Sequence, residues 1–287
     1  MEPGITVVIN TLNEEKNLPF ALRSVQPWAD EIIVVDMHSQ DRTVEIARSF
    51  GAKIHLHPGP GFDYAPRAFA LKQAGSEWIM VLDADELVPV DLSRDLRRLA
   101  DSGEADVVLI PRVNYLLGAA LRETGWGPAQ DPQPRFFRNG FVIGSSQAHR
   151  DFEPVPNARI KKLSYSGQNA IIHFNYVDSS QFIDKLNRYT SIEARQAFDR
   201  GQRVPPWRAA RQGMREFLSR YLRAHGFRDG WRGFYLSAFM SFYRIAFAVK
   251  LQELHAVGPR EDVEALYRQE AERILAVYSD LAPPHSR

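Results

Sequence analysis

Asp83 and Asp85 flank one small residue, Ala84, at the end of the apolar run EWIMVL (77–82). In an extended chain residues i and i+2 point the same way, so both carboxylates can face one pocket. Hard divalent cations take carboxylate oxygens together with substrate phosphate oxygens, and Mg2+ typically takes only one or two protein carboxylates. The same pair could instead be acidic turn residues that close a strand. Asp36 follows a second apolar run (32–35) and leads into HSQDRT (38–43). Its carboxylate can accept from a base N–H or from ribose hydroxyls, with capping as the alternative. Thr11, Asn13 and Glu14 follow a third run (5–9) and precede a helical pattern, where nucleotide binding or helix capping would use them.

These residues need a scaffold that delivers strand ends to one edge. The runs 5–9, 31–35, 53–57 and 77–82 read as strands, and 15–26, 41–50 and 64–74 as helices between them. Asp41 is placed to cap the second helix. This β-α-β-α order implies an α/β fold with a mostly parallel sheet and helices on both faces. Such sheets bind ligands at the carboxyl ends of their strands, which is where Thr11, Asp36, Asp83 and Asp85 lie. Strands recur at 107–110 and 171–174 around a loop-rich stretch, 125–134. Beyond Asp178 the pattern is helical, broken at Pro205-Pro206. The expected division is an α/β domain over 1–177 and a helical region over 178–287.

Composition narrows the class. The 287 residues carry a net charge of +1 and no cysteine, which excludes disulfides and thiolate metal sites and suits a reducing cytoplasm. No basic, apolar leader opens the chain, and the longest apolar stretch, 233–249, is interrupted by Arg244. The expectation is a cytoplasmic protein without a membrane span. Neither a GxxxxGK[ST] loop nor a GxGxxG follows the first strand, and no GxSxG elbow occurs. His55 and His57 alternate on one strand without an evident third ligand, and read as surface or core histidines. An aspartate-based phosphatase would place its D-x-D after the first strand, not the fourth.

ITVVINTLNEE (5–15), IVVDMHSQDRT (33–43) and PRAFALKQAGSEWIMVLDADE (66–86) resemble the nucleotide-binding half of family 2 inverting glycosyltransferases of the GT-A fold. Gly125-Trp126, Asp131 and PRFFR (134–138), then KLNRYT (185–190) and GFRDGWRG (226–233), are similar to the branch typified by bacterial lipopolysaccharide-core β-1,4-glucosyltransferases. The resemblance implies that Thr11, Asn13, Glu14 and Asp36 line the nucleoside pocket. It implies that Arg67 and Arg135 approach the donor. Asp83, Ala84 and Asp85 would hold the nucleotide and its Mg2+ or Mn2+, with Asp85 and Asp83 as metal ligands. The implied reaction moves a hexose from a nucleotide sugar, UDP-glucose by family habit, to an envelope glycan or lipid-linked acceptor.

Three departures stand out. Ala68 replaces the asparagine that commonly follows Arg67, and the loop between Trp126 and Arg135 is longer than in the family. The family's His-Glu pair is here His149-Arg150, followed by Asp151 and Glu153. An inverting transfer needs a base for the acceptor hydroxyl proton. Asp151 is the first candidate, with Glu153 and His149 beside it. A catalytically weakened sugar-nucleotide-binding or scaffold protein of the same fold is the alternative that these departures motivate.

Residues 203–232 hold eight arginines against Glu216 and Asp229, interleaved with Trp207, Phe217, Tyr221, Phe227 and Trp231. A basic, aromatic, amphipathic segment suits an anionic membrane interface, and a solvated basic face is the alternative. No nucleic-acid-binding module accompanies the arginines, so nucleic acid is not an expected partner.

Overall fold

A computed structural model describes residues 4–58, 65–144, 152–276 and 278. Its strands are β1 Ile5–Thr11, β2 Glu31–Asp36, β3 Lys53–Leu56, β4 Trp78–Asp83, β5 Glu86–Leu87, β6 Val107–Ile110 and β7 Arg112–Leu116. They continue with β8 Ala119–Ala120, β9 Gln133–Arg138, β10 Val142–Gly144, β11 Phe152–Pro154, β12 Ile160–Lys162 and β13 Ile171–Tyr176. The helices are α1 Leu18–Val25, α2 Thr43–Ser49, α3 Ala65–Gln73, α4 Val90–Ser102, α5 Ser179–Asp199, α6 Pro206–Leu218, α7 Gly230–Ala256 and α8 Arg260–Ala276.

Seven strands form one sheet in the order β12-β6-β9-β4-β1-β2-β3. β1 runs parallel to β2 and β4, β2 to β3, and β6 to β12. β9 is antiparallel to both β4 and β6. The expected α/β class of the GT-A type is therefore present, with one reversed strand inside the sheet that the sequence reading had not identified as a strand. Two further sheets are β5-β13-β7-β8 and the pair β10-β11.

β1, β2 and β4 are apolar at successive positions because both faces of the sheet are covered. Val7, Ile9, Val34, Met80 and Leu82 pack with Leu22 of α1 and with Leu92, Leu96 and Leu99 of α4. Val8, Ile33, Val35, Ile79 and Val81 lie in a second cluster with Ala70 of α3. Each such side chain contributes about 1.5–3 kcal/mol by leaving water. Pro19, which lacks an N–H, sits in the first turn of α1 and starts that helix later than position 15. Thr43 N donates to Asp41 Oδ1 at 3.0 Å, so Asp41 satisfies the start of α2.

At the β6–β12 edge, Arg159 donates to Asp106 through its backbone N, Nε and Nη2 at 2.9, 2.9 and 2.7 Å. These bonds lower the Asp106 carboxyl to about 2. A lowered carboxyl stabilises the fold above its ordinary pKa, and that contribution is lost as pH falls through about 2. Asp106→Asn should therefore lower the urea midpoint at neutral pH, and the gap from the parent should close in acid. Coincident midpoints at neutral pH would contradict this.

The chain divides into two compact units. The first comprises residues up to Lys185 together with Phe217–Phe239, so part of the helical region belongs with the sheet. The second comprises Leu186–Glu216 and the residues from Met240 onward. Within it Ala194, Ala197 and Leu251 form a small core with Phe198, Val204, Phe247 and Leu254. Among the described residues one helical stretch, Gly226–Ala256, is long and apolar enough to cross a membrane by length and composition.

Candidate active site

The carboxyl end of β4 is held by a chain of alternating charges. Arg67 Nη2, from α3, donates to Asp83 Oδ1 at 2.6 Å. Arg135 Nη2, from the reversed strand β9, donates to Asp83 Oδ2 at 2.8 Å. The Asp83 N–H donates to Glu86 Oε2 at 2.9 Å. Glu86 is fully buried, and its Oε1 lies 3.7 Å from Arg135 Nη2 and 3.6 Å from Arg112 Nη1. Arg112 Nη2 donates in turn to Asp131 Oδ2 at 2.7 Å. Burial alone would raise the Asp83 carboxyl, but the charges of Arg135 and Arg67 hold it far below the ordinary carboxylate range. Both Asp83 oxygens are thus engaged by arginine.

Asp85 has a different neighbour. β5 and β13 are antiparallel with His173 opposite Glu86, and the Phe174 N–H donates to the Asp85 carbonyl at 3.0 Å. His173 Nε2 stands 3.5 Å from Asp85 Oδ2. The other ring nitrogen, Nδ1, lies 2.9 Å from Asn114 Oδ1. Asn114 Nδ2 donates to the Trp126 carbonyl at 2.8 Å. A carbonyl only accepts, so the Asn114 amide nitrogen faces Trp126 and its oxygen faces the ring. His173 therefore donates to Asn114 through Nδ1, and its Nε2 edge faces Asp85.

The ends of β1 and β2 build a second cluster. Asp36 is buried and accepts from Thr11 Oγ1 at 3.1 Å, Ser39 Oγ at 2.5 Å and Ser39 N at 2.9 Å. Asn13, at φ +56°, accepts from Gln40 N through Oδ1 at 2.8 Å, and its own N–H donates to Ser39 Oγ. Thr11, Asn13 and Asp36 thus hold the 38–40 turn in shape. Glu14 is half-buried between the two clusters. Desolvation pushes its carboxyl up, Asn17 and Lys185 oppose that, and the charges of Asp85 and Asp83 add to it.

Residues 6–175 match the model of the family described as glycosyl transferase family 2. The chain belongs to that family. It is 28% identical over 270 residues to the lipopolysaccharide core biosynthesis glycosyltransferase LpsC of Rhizobium meliloti, covering 91% of this chain and 96% of the relative. It is 26% identical over 264 residues to an uncharacterized glycosyltransferase of Rickettsia typhi, covering 87% of each. Among solved structures, Staphylococcus aureus TarS 1–349 in complex with UDP is 16% identical, with a TM-score of 0.47 over 88% of this chain and 91% of that one.

In this glycosyltransferase the divalent ion that the family resemblance implies would meet two protein donors at this point, Asp85 and His173, and among the described residues no group of three or more His, Cys, Asp or Glu side chains gathers around one ion position. Asp85 would supply a carboxylate and His173 a ring nitrogen, ligand types that suit divalent first-row metals, and nucleotide phosphates would have to complete the shell. Four acids, Glu14, Asp83, Asp85 and Glu86, stand here among Arg67, Arg135, Lys185 and His173, with Arg112 paired to Asp131. A diphosphate entering such a cluster needs added positive charge.

Of the residues read from sequence, Arg67, Asp83, Asp85, Arg135 and Glu14 come together, with the buried Ala84 between the aspartates. Glu153 is exposed on β11, opposite Ile143 of β10. Asp151 and His149 lie outside the described residues. Glu86, Arg112, Asn114 and His173 were missed as site residues. Two polar residues inside apolar strands, Asn114 in RVNYL and His173 in IIHFNY, were the available signal.

The glycine-rich signature 226–233 has a structural role in the transferase. Asp229 accepts from Arg122 N, Glu123 N and Thr124 Oγ1 at 2.9, 3.1 and 2.5 Å, pinning the loop that carries Trp126. A Cβ on Gly233 would lie 1.8 Å from the Gly226 carbonyl oxygen. Asp229→Ala should leave three donors without their carboxylate and lower stability by about 1–3 kcal/mol. Thermal melts of the parent and D229A give the check, and identical melting temperatures would exclude the pinning role.

Proposed function

We propose that this glycosyltransferase moves a hexose, glucose from UDP-glucose, with inversion and with Mg2+ or Mn2+, onto an envelope glycan or lipid-linked acceptor. The observation that carries the reading is the Asp85–His173 pair, 3.5 Å apart, with the ring oriented by Asn114 at the acid-rich end of β4. Similarity to LpsC supports an acceptor in the lipopolysaccharide core. The glucose donor rests on the motifs shared with the β-1,4-glucosyltransferase branch.

In this reading Asp85 and His173 would hold the ion, whose chemistry would be to neutralise charge building on the leaving diphosphate. Arg67 and Arg135 keep Asp83 ionised and fix its place beside the donor. The acceptor oxygen bonds to the anomeric carbon as the bond from that carbon to phosphate oxygen breaks. The acceptor proton passes to a base, proposed from sequence as Asp151, with Glu153 next. Asp151→Asn should cost about 10²- to 10⁴-fold in turnover with donor affinity kept.

The decisive assay offers UDP-glucose, UDP-galactose, UDP-N-acetylglucosamine and GDP-mannose with lipopolysaccharide-core oligosaccharides, with Mn2+ or with EDTA. Transfer from UDP-glucose alone, dependent on Mn2+ and giving a β-linked product by NMR, is expected. EDTA-insensitive transfer, or an α-linked product, would overturn the proposal.

A further inference from the structure

We infer that the outer face of α6 is a docking surface for anionic phospholipid, holding the enzyme against a bilayer without crossing it. This goes beyond the donor chemistry and is tested apart from it. The face is defined by what α6 packs against. Ala209 and Gly213 are its buried residues, and a Cβ on Gly213 would stand 3.2 Å from both the Ser241 carbonyl oxygen and the Ile245 side chain of α7. At 3.6 residues per turn, the side opposite Ala209 and Gly213 carries Trp207, Arg208, Arg211, Met214 and Arg215. All five are exposed, Trp207 at 62% and Met214 at 61%.

Solvation alone does not account for this composition. Trp207 and Met214 are large apolar side chains one face apart by seven positions, and a soluble helix normally turns such residues inward. The Arg208 and Arg211 guanidiniums stand 5.9 and 5.4 Å from the centre of the Trp207 ring, so the charges travel with it. The one acid of α6, Glu216, is paired with Arg244 at 3.3 Å and does not offset the three arginines. Tryptophan favours the headgroup region, and arginine can keep its charge at lipid phosphates while its stem stays in the apolar layer. Nucleic acid would use the arginines but has no use for Met214.

The test uses the full chain and vesicles of phosphatidylcholine with or without phosphatidylglycerol. Sedimentation with phosphatidylglycerol vesicles, loss of binding at high salt and no binding to phosphatidylcholine alone are expected. Each basic residue near such a surface contributes about fivefold in affinity, so R208Q/R211Q/R215Q should bind about a hundredfold more weakly. Calorimetric UDP binding should be the same in that variant, which separates docking from folding and from donor chemistry. W207S should remove most of the binding that survives moderate salt. Failure of the parent to sediment with phosphatidylglycerol vesicles would overturn the inference, as would equal binding by the triple variant. Tighter binding to a duplex DNA fragment would reassign the face to a polyanion. Retention in the pellet after alkaline carbonate would assign a spanning helix instead.

Discussion

Asp85→Ala and His173→Ala should each abolish the dependence of UDP affinity on Mn2+ and lower turnover by about 10²- to 10³-fold, the usual loss when one group stabilising transition-state charge is removed. The expectation rests on two donors from different strands, Asp85 after β4 and His173 in β13, whose facing atoms are 3.5 Å apart. Asn114→Leu should have a smaller effect, about 10- to 100-fold in metal affinity, because it removes the partner that orients the His173 ring without removing a ligand. The ordering of the three variants is the informative result. Calorimetry of UDP with Mn2+ and with EDTA reads it directly. If His173→Ala keeps full metal dependence while Asp85→Ala loses it, His173 is a structural histidine and the donor set is wrong.

Arg135→Met should produce the largest loss of stability, about 3–5 kcal/mol, as expected when one partner is removed from a buried ion pair. Arg135 is 2% exposed and faces two carboxylates, Asp83 at 2.8 Å and Glu86 at 3.7 Å. Removing it leaves both acids in a buried site, with Arg67 still on Asp83 and Arg112 still 3.6 Å from Glu86. Against a typical total of about 5–15 kcal/mol, that loss moves the urea midpoint far while leaving the slope unchanged. Adding Asp83→Asn should recover part of it, because one uncompensated charge disappears.

The sign with pH is also set. The lowered Asp83 carboxyl contributes stability above its ordinary value of 3.8 and loses it only in strong acid. In Arg135→Met the carboxyl moves back up, so acid unfolding begins at higher pH. An unchanged midpoint and acid profile would show that the clamp adds nothing.

Local pattern carries far in this chain, and then stops. The β-branched runs 5–9 and 31–35, the helix between them and the D-x-D after β4 were legible because each is decided by neighbours in sequence. Asp41 was legible as a cap for the same reason, since its bond to Thr43 spans two residues. β9 was not legible as a strand. Its partners β4 and β6 are distant in sequence, and Pro134 within QPRFFR weakens the strand pattern.

The site shows the same divide. Spacing marks Asp83 and Asp85 as a pair facing one pocket, and the family motifs set Asp85 toward the metal, Asp83 nearer the nucleotide, and Arg67 and Arg135 toward the donor. Only the tertiary structure gives each aspartate its protein partner. β9 carries Arg135 onto Asp83, and β13 carries His173 to Asp85, so residues two apart end beside different partners. Burial then turned Glu86, one more acid in the sequence, into the fully enclosed centre of the charge chain. The physical reason is range. Backbone pattern is set within a few residues, whereas the partners of a buried charge at this site are side chains that the fold brings from 16 (Arg67 to Asp83) to 88 (His173 to Asp85) positions away.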